Sequence, residues 1–216
     1  MASDAVTLIK NDHRVMEQLF EQMLSRKGDR TALLKECIAR LSAHSWAEEE
    51  KVYPAIVQAD PPEEGQVYHG VEEHHEAEQL MHKLEEIDPA SAEFDSTLVE
   101  FVEAVKHHVE EEETKILPAL AESVDRIKLE ELGAAFEERR MAVLSEHGYG
   151  ADMPPGASAP ARKVGGSAAG GGKAGATKTE KMTKEELYQQ AKKAAVPGRS
   201  TMTKEELAKA VRKSGP

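Results

Sequence analysis

Residues 44–54 read HSWAEEEKVYP and residues 108–118 read HVEEEETKILP, with a histidine, two glutamates and a proline at matching places. A second pair of similar segments precedes them, because HRVMEQLF at 13–20 resembles HHEAEQLM at 74–81. The offset between partners is 64 residues in the first pair and 61 in the second. The chain therefore reads as two copies of a helix pair, and we expect the copies to face each other around a shared interior.

Around these segments the sequence predicts long helices with short connections. Helix-forming stretches fall at about 4–26, 31–59, 66–87 and 88–123, and a further helical segment follows at 127–145. Apolar residues recur at three- and four-residue spacing in the first four, which is typical of a packed helix face. The predicted fold class is all-α: an antiparallel up-down four-helix bundle plus an extra helix, a flexible linker and a short helical tail.

Three prolines carry local predictions. Asp88 and Pro89 look like a helix cap followed by proline at the first helical position, where proline is well tolerated. Pro54 and Pro118 instead fall inside predicted helices, shortly after the matching histidine and glutamates of each copy. Because a proline inside a helix removes one hydrogen bond, we expect a kink at both places.

Each apolar stripe is interrupted at mid-height by histidine or by histidine and glutamate. A carboxylate that faces a bundle core costs several kcal/mol unless it is paired or binds a metal. A single core histidine would be read as a hydrogen-bonded structural residue, but four at one depth indicate a metal site, and imidazole suits iron, zinc or copper. The predicted ligands are His13, His44, Glu48, His74, Glu78, His108 and Glu112.

The other polar residues of these helices receive weaker roles. His75 and His107 point away from the stripe, and Glu17 is assigned at most to the rim of the site. Glutamates 110–113 form a solvated run in which only Glu112 lies on the stripe. Cys37 lies on the apolar face and is interpreted as a packing residue rather than a ligand. The histidines without any such pattern, predicted to be exposed, are His69, His82 and His147.

Together these residues resemble the hemerythrin-like HHE cation-binding family over about 5–145. The matching elements are Asp12-His13, His44 with Glu48-Glu49 and Tyr53-Pro54, then Glu73-His74, His108 with Glu112-Glu113 and Leu117-Pro118. The resemblance implies two non-haem Fe ions, with an oxo or hydroxo bridge, held by the four histidines and bridged by Glu48 and Glu112. Oxygen-carrying members have a histidine where this chain has Glu78, and their last carboxylate is placed one residue later. These departures favour redox chemistry over reversible oxygen carriage.

The resemblance leads to two functional hypotheses and a third reading. In the first, the chain is a di-iron protein that binds or reacts with O2, peroxide or NO, with a role in oxidative stress and, if enzymatic, a peroxidase- or catalase-like activity. In the second, it is a non-enzymatic iron or oxygen sensor whose bundle tightens on metal binding. The third is a zinc or structural site, or a metal-free bundle with buried polar residues.

Composition divides the chain into unlike parts, although the overall net charge is −12. Residues 1–153 hold 15 basic and 35 acidic residues, whereas 154–216 hold 13 basic and 5 acidic. We predict a bundle domain at 1–150, a Gly/Ala/Pro-rich flexible linker at 151–180 and a basic two-helix motif at 181–216. One cysteine, no apolar run of about 20 residues and no leader pattern favour a cytoplasmic protein without a membrane span.

The basic tail carries a short repeat. MTKEELYQQAKK at 182–193 recurs as MTKEELAKAVRK at 202–213, and Pro197-Gly198 separate the copies. The repeat resembles the small helical motifs of SAP and Rho N-terminal type, which implies nucleic-acid contact and a nucleoid association; a solubilising tail is the alternative.

We predict that residues 176–216 bind duplex DNA weakly, because they carry 10 basic and 5 acidic residues. Affinity should fall steeply as salt rises, since phosphate contacts release counterions. A filter-binding or anisotropy titration of this segment tests the prediction, and no binding at low salt would refute it.

Overall fold

The computed structural model describes residues 3–150, Leu187, 208–209 and 211–212. The chain divides into two units, 1–160 and 161–216. In the described part of the first unit, every regular element is a helix: α1 Ala5–Leu24, α2 Arg30–Ala47, α3 Tyr53–Ala59, α4 Glu64–Glu86, α5 Ala92–Glu111, α6 Leu117–Ser123 and α7 Arg126–Glu146. A 3₁₀ turn, Pro61–Glu63, precedes α4. The predicted all-α bundle with an extra helix is confirmed.

The helices begin at side chains that can accept hydrogen bonds from free backbone amides. Asp4 accepts from Thr7 N at 2.9 Å at the start of α1, and Asp125 accepts from Lys128 N at 2.8 Å at the start of α7. Such caps typically contribute about 1 kcal/mol each. The ends of α1 and α7 are followed by a residue with positive φ, Arg26 at 53° and Gly148 at 81°, which turns the chain away from the helix. In both cases backbone amides donate back to the last turn, Lys27 N to Gln22 O and Tyr149 N to Leu144 O.

The start of the fourth long helix differs from the prediction. Ser91, not Asp88, caps α5, because its Oγ accepts from Phe94 N at 3.1 Å and the helix starts at Ala92. Asp88 accepts from Ala90 N at 3.0 Å instead. The placement of Pro89 at the first helical position was therefore wrong: Asp88 and Pro89 form a turn that precedes the true cap.

A π-helical segment lies in front of each mid-helix proline. These segments, Glu48–Val52 and Glu112–Ile116, join α2 to α3 and α5 to α6. Pro54 and Pro118 then fall in the first turn of the following helix, where a missing N–H is tolerated. Because a π-helical turn is wider than an α-helical one, each long helix changes register after its histidine-bearing turn.

The two larger apolar clusters among the described residues have a polar layer between them, and a smaller third cluster lies between α2 and α7. Along α1, Ile9 belongs to one cluster and Met16 to the other, and buried His13 lies between the two. Cys37 is completely buried in the second cluster, and burial raises the pKa of its thiol to about 12. An inert, protonated thiol fits the predicted packing role.

Helix α7 packs against α1 and α2, and so covers one side of the first helix pair. Gly133 of α7 lies against the start of α1, where a Cβ atom would come within 2.4 Å of Ser3 O. Among the described residues, no helix is long and apolar enough to cross a membrane.

Little of the second unit is described. Leu187, Ala208, Lys209, Val211 and Arg212 are helical, and Arg212 Nε donates to Ala208 O at 3.1 Å. The predicted linker, the repeat turn and the remaining basic residues of the tail lie outside the described residues, so their roles stay predictions.

Candidate metal centre

Six of the seven predicted ligands meet at one depth of the bundle. His13, His44, Glu48 and Glu112 form one group, and Glu48, His74 and His108 form a second, with the ligand atoms of each group within 4.8 Å of one another. All six are buried: none exposes more than 4% of its surface. We call this set the buried centre. Because Glu48 belongs to both groups, the two are parts of one site.

The imidazole Nε2 atoms face inward. His13 Nε2 lies 3.1 Å from Glu112 Oε2, and His44 Nε2 lies 3.3 Å from Glu48 Oε2. His74 Nε2 lies 3.4 Å from the same Glu48 oxygen and 3.0 Å from His108 Nε2. Glu48 therefore stands between imidazoles of both helix pairs, and Glu112 Oε2 does so less closely, since it also lies 4.0 Å from His108 Nε2.

The opposite ring nitrogens face a second ring of carboxylates. The distances from Nδ1 to the carboxylate oxygen are 3.6 Å for His44 with Asp12, 2.9 Å for His13 with Glu113, 3.2 Å for His74 with Glu49 and 2.9 Å for His108 with Glu73. A carboxylate at this position fixes the tautomer and orientation of a metal-binding histidine. We call these four residues the outer carboxylates.

The outer carboxylates received no role of their own from the apolar stripes. The sequence nevertheless contains a pattern that could have identified them, because each is adjacent to a predicted ligand. Asp12 and Glu73 precede a histidine, and Glu49 and Glu113 follow a glutamate. The π-helical segments help to explain the second pair, since their wide turns let two consecutive glutamates approach the site.

The buried centre contains polar atoms that the protein itself does not satisfy. Within the described residues, the buried atoms without a hydrogen-bond partner include His13 Nε2, His44 Nε2, both Glu48 carboxylate oxygens and Glu112 Oε2. Each such atom costs about 1–3 kcal/mol when left unpaired. Imidazole nitrogens and carboxylate oxygens are the donor set of iron and similar ions, so bound metal fits these residues.

Electrostatics prepare two of the four imidazoles for that role, whereas contacts with Glu112 and Glu113 outweigh burial and raise the pKa of His13. Burial lowers the pKa of His74 to about 4 and also lowers the pKa of His44, so both rings are neutral at pH 7. Burial and the negative charge of Glu112 raise the pKa of Glu48 well above its usual range. Burial would also raise the pKa of Glu112, but the nearby imidazoles, His13 first, outweigh it and lower that pKa. Bound cations would favour the charged form of Glu48 and so lower its pKa again.

The structure does not bring Glu78 to the other six. Trp46 Nε1 donates to Glu78 Oε1 at 3.3 Å, and His75 Nδ1 lies 3.4 Å from Glu78 Oε2. His75 is itself buried, beside this pair rather than in the buried centre. Glu17, assigned to the rim, forms an ion pair with Arg14 at 2.9 Å and lines a groove next to His13.

Tyr53 is a further residue of the site that carried no separate prediction. Its hydroxyl donates to Glu112 Oε1 at 3.2 Å, and its ring stacks on His74 with the centroids 5.8 Å apart. Burial and the charge of Glu112 raise the pKa of Tyr53 well above 10, so the phenol keeps its proton. Gly70 makes room for it, because a Cβ atom there would lie 3.1 Å from the Tyr53 hydroxyl.

A groove of about 430 Å³ leads to the edge of the buried centre. Its lining includes His13 and Glu113 together with apolar side chains of α1 and α5, among them Phe20 and Val109. Its remaining lining residues are Arg14, Met16, Glu17, Val105, Lys106, Glu110 and Thr114. The groove is wide enough for small molecules next to the histidine of α1.

A helical bundle with a buried layer of four histidines and two glutamates defines a metal-binding bundle protein. Residues 4–120 match the family model of the hemerythrin HHE cation binding domain, and the chain belongs to that family. Membership indicates a metal-binding protein, and iron is the usual metal of the family. The match ends before α7, whereas the resemblance drawn from sequence extended to 145.

A crystal structure supports the fold. It is that of a hemerythrin HHE cation binding domain-containing protein from Mycobacterium kansasii, similar over 67% of this chain and 89% of that chain, with a TM-score of 0.59 and 22% identity. At this identity the likeness concerns the fold alone. No curated protein sequence matches the chain.

Proposed function

We propose that the chain is a non-haem di-iron protein that reacts with O2, peroxide or NO. His13 and His44 would hold one iron, His74 and His108 the other, and Glu48 and Glu112 would lie between them. The observation that carries the proposal is the pair of buried donor groups sharing Glu48, with unsatisfied nitrogen and oxygen atoms pointing into the space between them. When bound, such an iron pair supplies one- and two-electron redox chemistry.

Two features favour reaction with a small molecule over a closed structural site. The second donor group has three members against four in the first, since Glu78 turns toward Trp46 and His75. Reactive metal sites typically keep a position free of protein ligands, whereas structural sites are closed. The groove beside His13 provides a partly apolar approach for a small uncharged molecule.

The surrounding residues would control protons and water. Three of the outer carboxylates lie within hydrogen-bond distance of Nδ1 of His13, His74 and His108 and would keep Nε2 of these rings directed inward. The fourth, Asp12, lies 3.6 Å from His44 Nδ1. Tyr53, with its raised pKa, keeps a hydroxyl proton beside Glu112 and can donate it as a hydrogen bond without becoming charged. The two apolar clusters above and below limit the entry of bulk water, which strengthens every electrostatic interaction inside.

The proposal is tested by metal analysis of protein purified without added metal and then loaded anaerobically with Fe(II). We expect two irons per chain, oxo-to-iron charge-transfer bands near the ultraviolet edge after oxidation, and spectral changes with peroxide or NO. Zinc, or no metal after loading, would refute it. Turnover of peroxide would identify an enzyme, whereas ligand binding without turnover would identify the non-enzymatic sensor.

A further inference from the structure

A second group of metal-ligating side chains lies on the outer surface where α4 meets α5. His69 and Glu73 are four residues apart on α4, and His107 and Glu111 are four residues apart on α5, so each pair shares one helix face. His69 Nε2 lies 3.6 Å from Glu73 Oε1 and 3.5 Å from Glu111 Oε2. His107 Nε2 lies 3.8 Å from Glu73 Oε1. We call these four residues the surface cluster.

The surface cluster has no counterpart in the first copy of the internal duplication. In the first copy, the residues equivalent to His69, His107 and Glu111 are Leu8, Ala43 and Ala47. The two alanines are completely buried, and α7 covers this side of the first helix pair. The second copy therefore carries two imidazoles and a carboxylate where the first carries apolar residues under a helix.

Asp12 of the first copy and Glu73 of the second occupy equivalent positions in the duplication. Asp12 faces His44 and is neutralised from outside by Arg140, whose Nε donates to Asp12 Oδ2 at 2.5 Å. Glu73 accepts from His108 Nδ1 through Oε2, and its Oε1 faces the imidazoles of the surface cluster. Among the described residues, no lysine or arginine forms an ion pair with Glu73.

We propose that the surface cluster binds one divalent transition-metal ion of the Zn²⁺, Co²⁺ or Fe²⁺ class. Such an ion would neutralise Glu73 as Arg140 neutralises Asp12. Zinc bonds of about 2.0–2.2 Å in a tetrahedron place neighbouring ligand atoms roughly 3.3–3.6 Å apart. Ligand atoms of His69, Glu73 and Glu111 already lie within 4.8 Å of one another. His107 Nε2, which lies 3.8 Å from Glu73 Oε1, would join them as a fourth ligand by rotation of its side chain.

Glu111 can take part although it already has a partner. Lys115 Nζ lies 2.5 Å from Glu111 Oε1, and Oε2 is the atom that faces His69. The histidines are accessible, with 53% of the His69 side chain and 63% of the His107 side chain exposed. Since Glu73 also contacts His108 of the buried centre, a single carboxylate would separate the ion from that centre.

The proposal is tested by titrating iron-loaded full-length protein with Co²⁺ and following the visible absorption of the bound ion and the number of ions per chain. The double variant His69→Ala/His107→Ala should bind one Co²⁺ fewer than the unchanged protein. His82→Ala is the matched control, because His82 is an exposed α4 histidine that pairs only with Glu85, at 3.1 Å, among its described ion-pair partners. It should bind as many ions as the unchanged protein.

A second variant tests whether the loss of Co²⁺ binding is specific to the surface cluster or results from removing any two histidines. Glu111→Gln keeps both imidazoles and should weaken Co²⁺ binding at least tenfold, with helicity and iron content unchanged. Equal Co²⁺ binding by the unchanged protein and the double variant would overturn the proposal. Because the readout is a difference of one ion, it remains valid even if the buried centre holds a metal other than iron.

Discussion

Replacement of Glu112 by alanine should remove most of the iron from the buried centre, whereas replacement of Glu110 should leave it unchanged. Glu112 Oε2 is 3.1 Å from His13 Nε2 and 4.0 Å from His108 Nε2, so it serves both helix pairs. Loss of an outer hydrogen-bond partner typically weakens metal affinity about 10- to 100-fold. Loss of a carboxylate between the two positions should exceed about 100-fold.

Glu110 is a close control because it belongs to the same run of four glutamates but is exposed. Iron per chain, measured after anaerobic loading and desalting, should fall below one in Glu112→Ala and stay at the level of the unchanged protein in Glu110→Ala. Circular dichroism of both variants shows whether the bundle is intact. An intact Glu112→Ala protein with full iron content would remove Glu112 from the proposed ligand set.

Replacement of Gly133 by alanine should destabilise the bundle by about 1–3 kcal/mol, the range typical of overpacked cores. A Cβ atom at Gly133 would lie 2.4 Å from Ser3 O and 2.9 Å from Ala5 N. Both are backbone atoms, so no side chain can rotate away, and the start of α1 must move. The free energy of unfolding from urea titrations, with a lower Tm as supporting evidence, measures this effect.

Gly65→Ala, in contrast to Gly133→Ala, should increase the free energy of unfolding. Gly65 also lies in a helix, α4, but a Cβ atom there would meet nothing within 4 Å. Gly65 is the second residue of α4, and alanine in place of glycine at a position whose backbone it can adopt stabilises by roughly 0.4–1 kcal/mol, chiefly by restricting the unfolded chain. Stabilisation by both substitutions would mean that α7 and the start of α1 are not in close contact in solution.

The sequence predicted which residues come together where the position of a residue along its helix is enough to show that its side chain faces the core. Four histidines and three glutamates are predicted to interrupt apolar stripes at one depth, and the structure brings together all of them except Glu78. Glu78 has the same spacing after His74 that Glu48 has after His44. However, Glu48 begins a π-helical segment, whereas Glu78 follows its histidine on uninterrupted α4. Spacing alone does not distinguish these cases.

Other features depended on contacts between distant segments. Tyr53 reaches Glu112 across 59 positions, and Arg140 reaches Asp12 across 128. Helical periodicity reports only which face of its own helix a residue occupies, so it cannot pair such partners. The error at Pro89 was local: Asp, Pro and Ser are all common before helices, and only the hydrogen bond from Phe94 N identifies Ser91 as the cap.

Helix α7 contributes no ligand and lies beyond the matched segment 4–120, yet it completes the site. A chain ending at 123 would retain all six residues of the buried centre. It would also lose Arg140, the buried cation beside Asp12, and expose Ala43 and Ala47 to water. The structural unit that encloses the candidate centre is therefore longer than the matched segment, and its last helix covers one half of the duplicated arrangement.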